Sequence, residues 1–138
     1  MIYTLDTDTL TFLLKGDERV NDNANDATAN GHVLVLSRIV DYEVQRGLLA
    51  KKMNKKLREY MNFRQTVTVG SIDDIMWDKA ANIYASLMQV GKPINDGDIL
   101  IAAFSIVNKY TLVTNNANHF GRVGGLKFVN WKDEMRQL

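Results

Sequence analysis

The sequence predicts an α/β layer fold, with a mostly parallel central sheet flanked by helices. Two observations carry this. Short β-branched and apolar runs, Ile2 to Leu5, His32 to Ser37 and Thr111 to Thr114, alternate with stretches of helical periodicity. The connections between them are short, and strands joined through helices form parallel sheets by right-handed crossovers. In such sheets ligands gather at the carboxyl ends of the strands.

Ile2 to Leu5 is a strand that ends at Asp6, and Thr9 to Leu14 is a helix stopped by Gly16. Arg19 to Gly31 is poor in large apolar residues and rich in Asn, Asp and Ala, which reads as a weak surface helix or a loop. The strand His32 to Ser37 leads into one or two helices between Ile39 and Tyr60. Gln65 to Val69 alternates Thr with Val as a strand does. Ser71, followed by Asp73 and Asp74, resembles an N-cap with first-turn acids for a helix running to about Val90, ended by Gly91 and Pro93. Asn95 or Asp96 caps a helix from Asp98 to Lys109, apolar all round and so expected to be buried. Thr111 to Thr114 and Leu126 to Val129 are the last strands, and Trp131 and Met135 are available to pack the C-terminal tail. No repeat, linker or boundary interrupts the order, so residues 1–138 are read as one domain.

Composition narrows the function classes. With no Cys the chain is neither a disulfide scaffold nor a thiolate-bound metal module. Its longest apolar run is Ile99 to Phe104, far short of the roughly 20 residues of a membrane span. The first residues carry no basic leader and Asp6 interrupts them, so the expected location is the cytoplasm. The formal charge of +1 hides an asymmetry. Between Arg46 and Arg64 the bases Arg46, Lys51, Lys52, Lys55, Lys56, Arg58 and Arg64 face one acid, Glu59. Such a stripe can follow a phosphate backbone, with Tyr60 and Phe63 placed to stack on bases. The other reading is a solvated lysine-rich helix face.

Three carboxylates stand out. Asp6 sits at the carboxyl edge of the sheet, where Asn115 and Asn116 also stand if the two strands adjoin; alone, Asp6 also suits a helix N-cap, and Asp8 a cap or a surface position. On a helical wheel with Ile39 at 0°, Glu43 falls at about 40° and Val40 at about 100°, so the glutamate points with apolar neighbours, and Gly47, at about 80°, leaves space beside it. Asp98 shares a face with Ile101, Ala102 and Ser105, which sets it at the rim of the core. Asp96, two residues earlier, suits a cap or first-turn acid. A carboxylate at a core rim is costly unless a cation neutralises it. Arg38 and Arg46 are the nearest bases to Glu43, and an all-oxygen set favours a hard ion such as Mg²⁺ or Mn²⁺ over zinc. His32 and His119 have no metal-ligand spacing and read as surface or strand-end residues.

These acids, in the order of four landmarks, resemble the PIN-domain ribonucleases, specifically the VapC-like toxins of type II toxin–antitoxin pairs. The landmarks are Ile2 to Asp8, Ser37 to Gly47, Gly91 to Ala103, and Thr111 to Phe120 with Leu-Val-Thr-Asn-Asn at 112–116, followed by Val123 to Leu126 and Asn130-Trp131. The resemblance runs nearly end to end and implies a PIN-like three-layer fold. It also implies that Asp6, Glu43 and Asp98 are the acidic triad, with Asp6 and Asp98 holding the divalent ion and Asp96 an auxiliary acid. Many PIN domains carry a fourth acid where this chain has Asn116; VapC-like members often have the Asn-Asn form. Arg38 and Asp41 are less usual in their positions.

What the resemblance implies chemically is hydrolysis of an RNA phosphodiester. Glu43 would orient or deprotonate the attacking water, and Thr114 and Asn116 would support the site from behind. Arg46, Lys51, Lys52, Lys55 and Lys56 would form the nucleic-acid track. A homodimer and a cognate antitoxin that covers the site are the implied partners. Two other classes remain. One is a catalytically inactive PIN-like module that binds RNA or a partner. The other is a haloacid-dehalogenase-type phosphatase, to which Asp6-Thr7-Asp8-Thr9 and Leu112 to Asn116 are similar, although that family has Thr or Val where Leu10 stands and needs a lysine and an acidic pair after the Thr motif, where only 24 residues remain, with Asp133-Glu134 in the tail.

Overall fold

A computed structural model describes residues 1–132. Five strands, β1 (Ile2–Leu5), β2 (Val33–Ser37), β3 (Thr68–Gly70), β4 (Thr111–Val113) and β5 (Phe128–Val129), form one sheet in the order β3-β2-β1-β4-β5. Every pairing is parallel. The sheet is thus wholly parallel, where a mostly parallel one was expected. Its flanking helices are α1 (Thr7–Leu14), α2 (Glu18–Ala29), α3 (Arg38–Ala50), α4 (Asn54–Arg64), α5 (Asp74–Gln89), α6 (Asp96–Asn108) and α7 (Ala117–Phe120).

β1 lies at the centre, pairing Tyr3 with Leu34 on one side and with Thr111 on the other. Leu5, Leu36, Leu112 and Val113 are fully buried there. Each such side chain contributes about 1.5–3 kcal/mol by leaving water. α6 packs on this centre and buries Ile99 through Ser105 without interruption, as its all-round apolar sequence requires. Gly70 on β3 permits the close fit of Phe104, since a Cβ there would stand 2.8 Å from the ring.

Several boundaries differ from the sequence expectation. Of the stretch 19–31, open between helix and loop, residues 19–29 lie in α2, because Asp17 caps Val20 N and Val20, Ala24 and Ala27 bury one narrow stripe. The cap of α5 is Asp73, not Ser71: its carboxylate accepts from Met76 N at 3.0 Å. Asn95 caps α6, which begins at Asp96 rather than Asp98. α1 begins at Thr7 because Asp6 caps it. β3 is shorter and later than residues 65–69, since Thr66 and Val67 close the C-terminal turn of α4 by bonding Phe63 O and Arg64 O. β5 keeps only the last two residues of its expected run. Trp131 does pack, its ring 5.1 Å from Tyr3; Met135 lies outside the described residues.

Candidate active site

Parallel strands bring their carboxyl ends to one edge. Leu5 delivers Asp6 there, and Val113, its register partner, delivers Thr114. Ser37 ends β2 at the same edge and caps α3, which carries Glu43. Asn95 caps α6 and so fixes Asp98 in the first turn. Asp6, Glu43 and Asp98 all line one cleft of about 620 Å³, with Thr7, Asp8, Arg46, Asn95, Gly97, Asn116 and His119 among its other walls.

Asp6 is 4% exposed. Its Oδ1 accepts from Thr9 N at 2.8 Å and its Oδ2 from the Thr114 hydroxyl at 2.5 Å. Burial pushes this carboxyl above the ordinary aspartate range; the bonds from Thr114 and Thr9 pull it partly back, and the charge of Asp8 adds to the rise. The cap role and the site role are therefore one arrangement: one carboxylate oxygen closes α1 while the other faces Thr114.

A chain of polar contacts leads from there. Thr114 Oγ1 accepts from Asn116 N at 2.9 Å, Asn116 Oδ1 accepts from His119 N at 3.2 Å, and His119 Nδ1 stands 3.0 Å from Asp98 Oδ2. Asp98 Oδ2 also accepts from Asn95 Nδ2 at 3.1 Å. Glu43 is held separately: Thr7 donates to Oε1 at 2.7 Å, and Arg46 pairs with Oε2 at 3.6 Å. Gly97 gives Glu43 its place, because a Cβ there would lie 2.8 Å from Glu43 Oε2. Gly47, expected to leave space beside Glu43, does have open surroundings and borders a groove together with it.

His119 is the main correction. It reads as a surface residue because its partner is distant in sequence; the four-residue helix α7, capped by Asn116, turns its ring onto Asp98. The Asn116-x-x-His119 spacing was the available signal, since it places a third-position side chain beside a cap. Thr7 and Gly97 were missed for want of any local signal. Asp96 is exposed at the first position of α6 and does not line the cleft. Tyr60, expected to stack on bases, is fully buried, and its hydroxyl donates to Asp41 at 2.6 Å. Asp41 is itself fully buried, paired with Arg38 and with Arg64 at 2.9 Å, and accepts from Gln45 at 3.0 Å. Arg38 is thus taken by Asp41 and not by Glu43. Burial and the bond to Asp41 push the Tyr60 phenol upward.

The lysine stripe is broken by the turn between α3 and α4. Lys51, Lys52, Lys55 and Lys56 are all exposed. Lys51 and Lys56 border a second groove of about 310 Å³ that shares Thr7 and Glu43 with the cleft.

The PIN domain family profile matches residues 3–126. The chain belongs to the PIN domain family. Among its relatives, Ribonuclease VapC2 of Rickettsia felis is 28% identical over 136 residues, covering 95% of this chain and 98% of that protein. The tRNA(fMet)-specific endonuclease VapC of Shigella flexneri is 37% identical over 68 residues, 46% of this chain and 52% of that protein. The fold is similar to that in the crystal structure of VapBC2 from Rickettsia felis bound to a promoter DNA fragment, with TM-score 0.88, 28% identity, and 95% and 99% of the two chains covered. Membership in the PIN family sets aside the phosphatase alternative.

Among the described residues of this PIN domain, no three His, Asp or Glu side chains come together closely enough to enclose an ion by themselves. The donor chemistry nonetheless fits a hard divalent ion. Mg²⁺ is commonly held by one or two carboxylates with water completing its shell. Asp6 is a buried carboxylate whose hydrogen-bond partners are a hydroxyl and an amide rather than a cation. Among the described residues, no helix is long and apolar enough to cross a membrane.

Proposed function

We propose that this PIN domain is a Mg²⁺- or Mn²⁺-dependent endoribonuclease that hydrolyses RNA phosphodiesters as the toxin of a toxin–antitoxin pair. The convergence of Asp6, Glu43 and Asp98 on one cleft carries the reading. Relatives named as VapC ribonucleases and a structural neighbour in a VapBC complex support it. Asp6 and Asp98 are the residues to hold the ion. When bound, such an ion supplies Lewis acidity, offsetting phosphate charge and making water a better nucleophile.

The chain's own residues divide the remaining work. Glu43, its Oε1 fixed by Thr7, orients water and takes its proton as the water oxygen bonds phosphorus and one ester P–O bond breaks, the departing ribose oxygen taking a proton from solvent to leave as a hydroxyl. The Thr114 hydroxyl bonds Asp6 and so favours its ionised form, and Asn116 holds Thr114 and His119 in turn. Asp96 is auxiliary, adding negative charge at the start of α6. Arg46, stacked over Tyr42 at 5.1 Å and beside Glu43, receives a phosphate at the cleft, and Lys51, Lys52, Lys55 and Lys56 continue the track outward. A cognate antitoxin would cover this cleft in the cytoplasm. A homodimer belongs to the same reading.

The test is induced expression of the wild type and of Asp98→Asn, with new RNA 5′ ends mapped in both cultures. The expected result is growth arrest with discrete cuts, transfer RNA among the first candidates, in the wild type only. Equal harmlessness of two soluble proteins with intact RNA would instead favour an inactive binding module.

A further inference from the structure

The face of α3 that meets the cleft carries an aromatic ring that the core does not bury. On a helical wheel with Ile39 at 0°, Tyr42 falls at about 300°, Arg46 at about 340° and Glu43 at about 40°, so one arc of about 100° presents all four. All four line the cleft. Tyr42 is 57% exposed there, beside the residue proposed to activate water. The Arg46 guanidinium lies over the Tyr42 ring, 5.1 Å from its centroid, and also pairs with Glu43 at 3.6 Å. These two contacts steady the ring next to the carboxylate.

The charge of the cleft says what such a ring is suited to hold. Among the described residues that line it, Asp6, Asp8, Glu43 and Asp98 are acids and Arg46 is the one Arg or Lys. Phosphates entering it are repelled except where an ion or Arg46 stands, so a nucleic acid gains affinity there from a part of itself that carries no charge. That part is the base. Every base has an aromatic face, and an exposed tyrosine is a platform for it. Ile39 and Leu100 add apolar wall to the same cleft. The other rings near the basic stripe or the acids are committed elsewhere. Tyr60 is buried against Asp41, and Phe63 borders a groove beside α2 and β2 whose described walls carry no carboxylate. His119 is turned onto Asp98.

We infer that Tyr42, steadied by Arg46, is a nucleobase-stacking site that holds one unpaired base of the substrate next to the phosphate that is cut. The inference rests on the proposed nuclease reading and deepens it by naming a contact to the base, where the acids and the lysine track address only phosphate. Stacking has two signatures that phosphate contact lacks. It needs the base to be present, and it does not respond to salt.

The test uses a short labelled single strand of oligoadenylate and an abasic strand of equal length, each titrated with the full chain by fluorescence anisotropy. Ca²⁺ replaces Mg²⁺, so binding is read without turnover. Tyr42→Ala, its fold checked by circular dichroism, is expected to weaken oligoadenylate about tenfold and the abasic strand by less than about twofold. The slope of affinity against salt should stay unchanged, since no phosphate contact is lost. Tyr42→Trp, which keeps a platform, should bind oligoadenylate at least as tightly as the wild type. Equal weakening of both strands by Tyr42→Ala, no weakening of either, or a Tyr42→Trp chain as weak as Tyr42→Ala would overturn the site. A wild type that binds neither strand would overturn it as well. Discrete RNA cuts that persist in the wild type alongside any of these results would leave the nuclease reading standing.

Discussion

His119 Nδ1 lies 3.0 Å from Asp98 Oδ2, joining the short helix after β4 to the first turn of α6. Asn116 and Thr114 extend that contact back to Asp6, so the two proposed ion-holding carboxylates are braced from one loop. The loop sets where the acids point, and the strands set where they start.

Removal of the imidazole should loosen Asp98 without unfolding the chain. His119→Ala is expected to lower Mn²⁺ affinity about tenfold, as loss of a ligand's supporting partner ordinarily does. His119→Gln, which keeps a donor, should recover part of it. Calorimetric Mn²⁺ titration checks this; unchanged affinity in His119→Ala would remove the bracing role.

The Thr114 hydroxyl favours ionised Asp6, and a carboxylate must be ionised to bind a cation. A hydrogen bond to a charged group contributes about 1.5–3 kcal/mol. Thr114→Val should therefore move the pH midpoint of metal binding upward by about one unit or more. Thr114→Ser should leave it in place.

Burial raises the folded-state pKa of Asp6 above its unfolded value, so folded protein binds the extra proton between the two values. Wild-type stability without metal should then rise as pH falls from neutral through the raised folded pKa. Asp6→Asn should melt higher than the wild type at pH 7, with the advantage shrinking toward pH 4. Added Mg²⁺ should raise the wild-type Tm and not that of the variant. A Tm difference independent of pH would contradict the buried charge.

Gly97 separates activity from stability. Ala is favoured over Gly inside a helix by up to about 1 kcal/mol. A methyl at position 97 nevertheless collides with Glu43 Oε2. Gly97→Ala should retain or raise Tm while cutting the cleavage rate at least tenfold; comparing melting curves and RNA cleavage in one preparation decides it.

The buried Asp41 cluster predicts the reverse. Asp41→Ala strips Tyr60 and Gln45 of their shared acceptor and Arg64 of its ion-pair partner and should cost about 3 kcal/mol. That is the low end for a buried pair, because Arg38 is exposed and returns to water. Tm should fall by about 10 °C for this chain length. Tyr60 supplies a second signature: its folded pKa lies above the unfolded one, so its contribution is intact below about pH 10 and lost as pH rises further. Tyr60→Phe should flatten that alkaline loss.

Much of the fold is legible in the sequence. The β-branched runs ending at Leu5, Ser37 and Thr114, the last of them one residue shorter in the structure, and the all-apolar helix after Asp98 follow from local periodicity, a property of neighbouring residues. The carboxylates were legible for the related reason that an acid on an apolar face is conspicuous: Glu43 beside Ile39 and Val40, Asp98 beside Ile101. Caps and element ends were less so, because Ser71 and Asp73, or Asn95 and Asp96, are chemically equivalent candidates one turn from the same helix. Tertiary structure alone decided the rest. It joined Asp6 to Thr114 across 108 positions, Thr7 to Glu43 across 36 and Asp98 to His119 across 21, and it turned Tyr60 from the basic stripe into the core. Contacts of that separation depend on which strands adjoin and which way a loop turns, and no periodicity along the chain encodes either. Sequence thus determined the kinds of groups available and the edge at which they gather; tertiary packing determined which groups hold one another and which remain free to act.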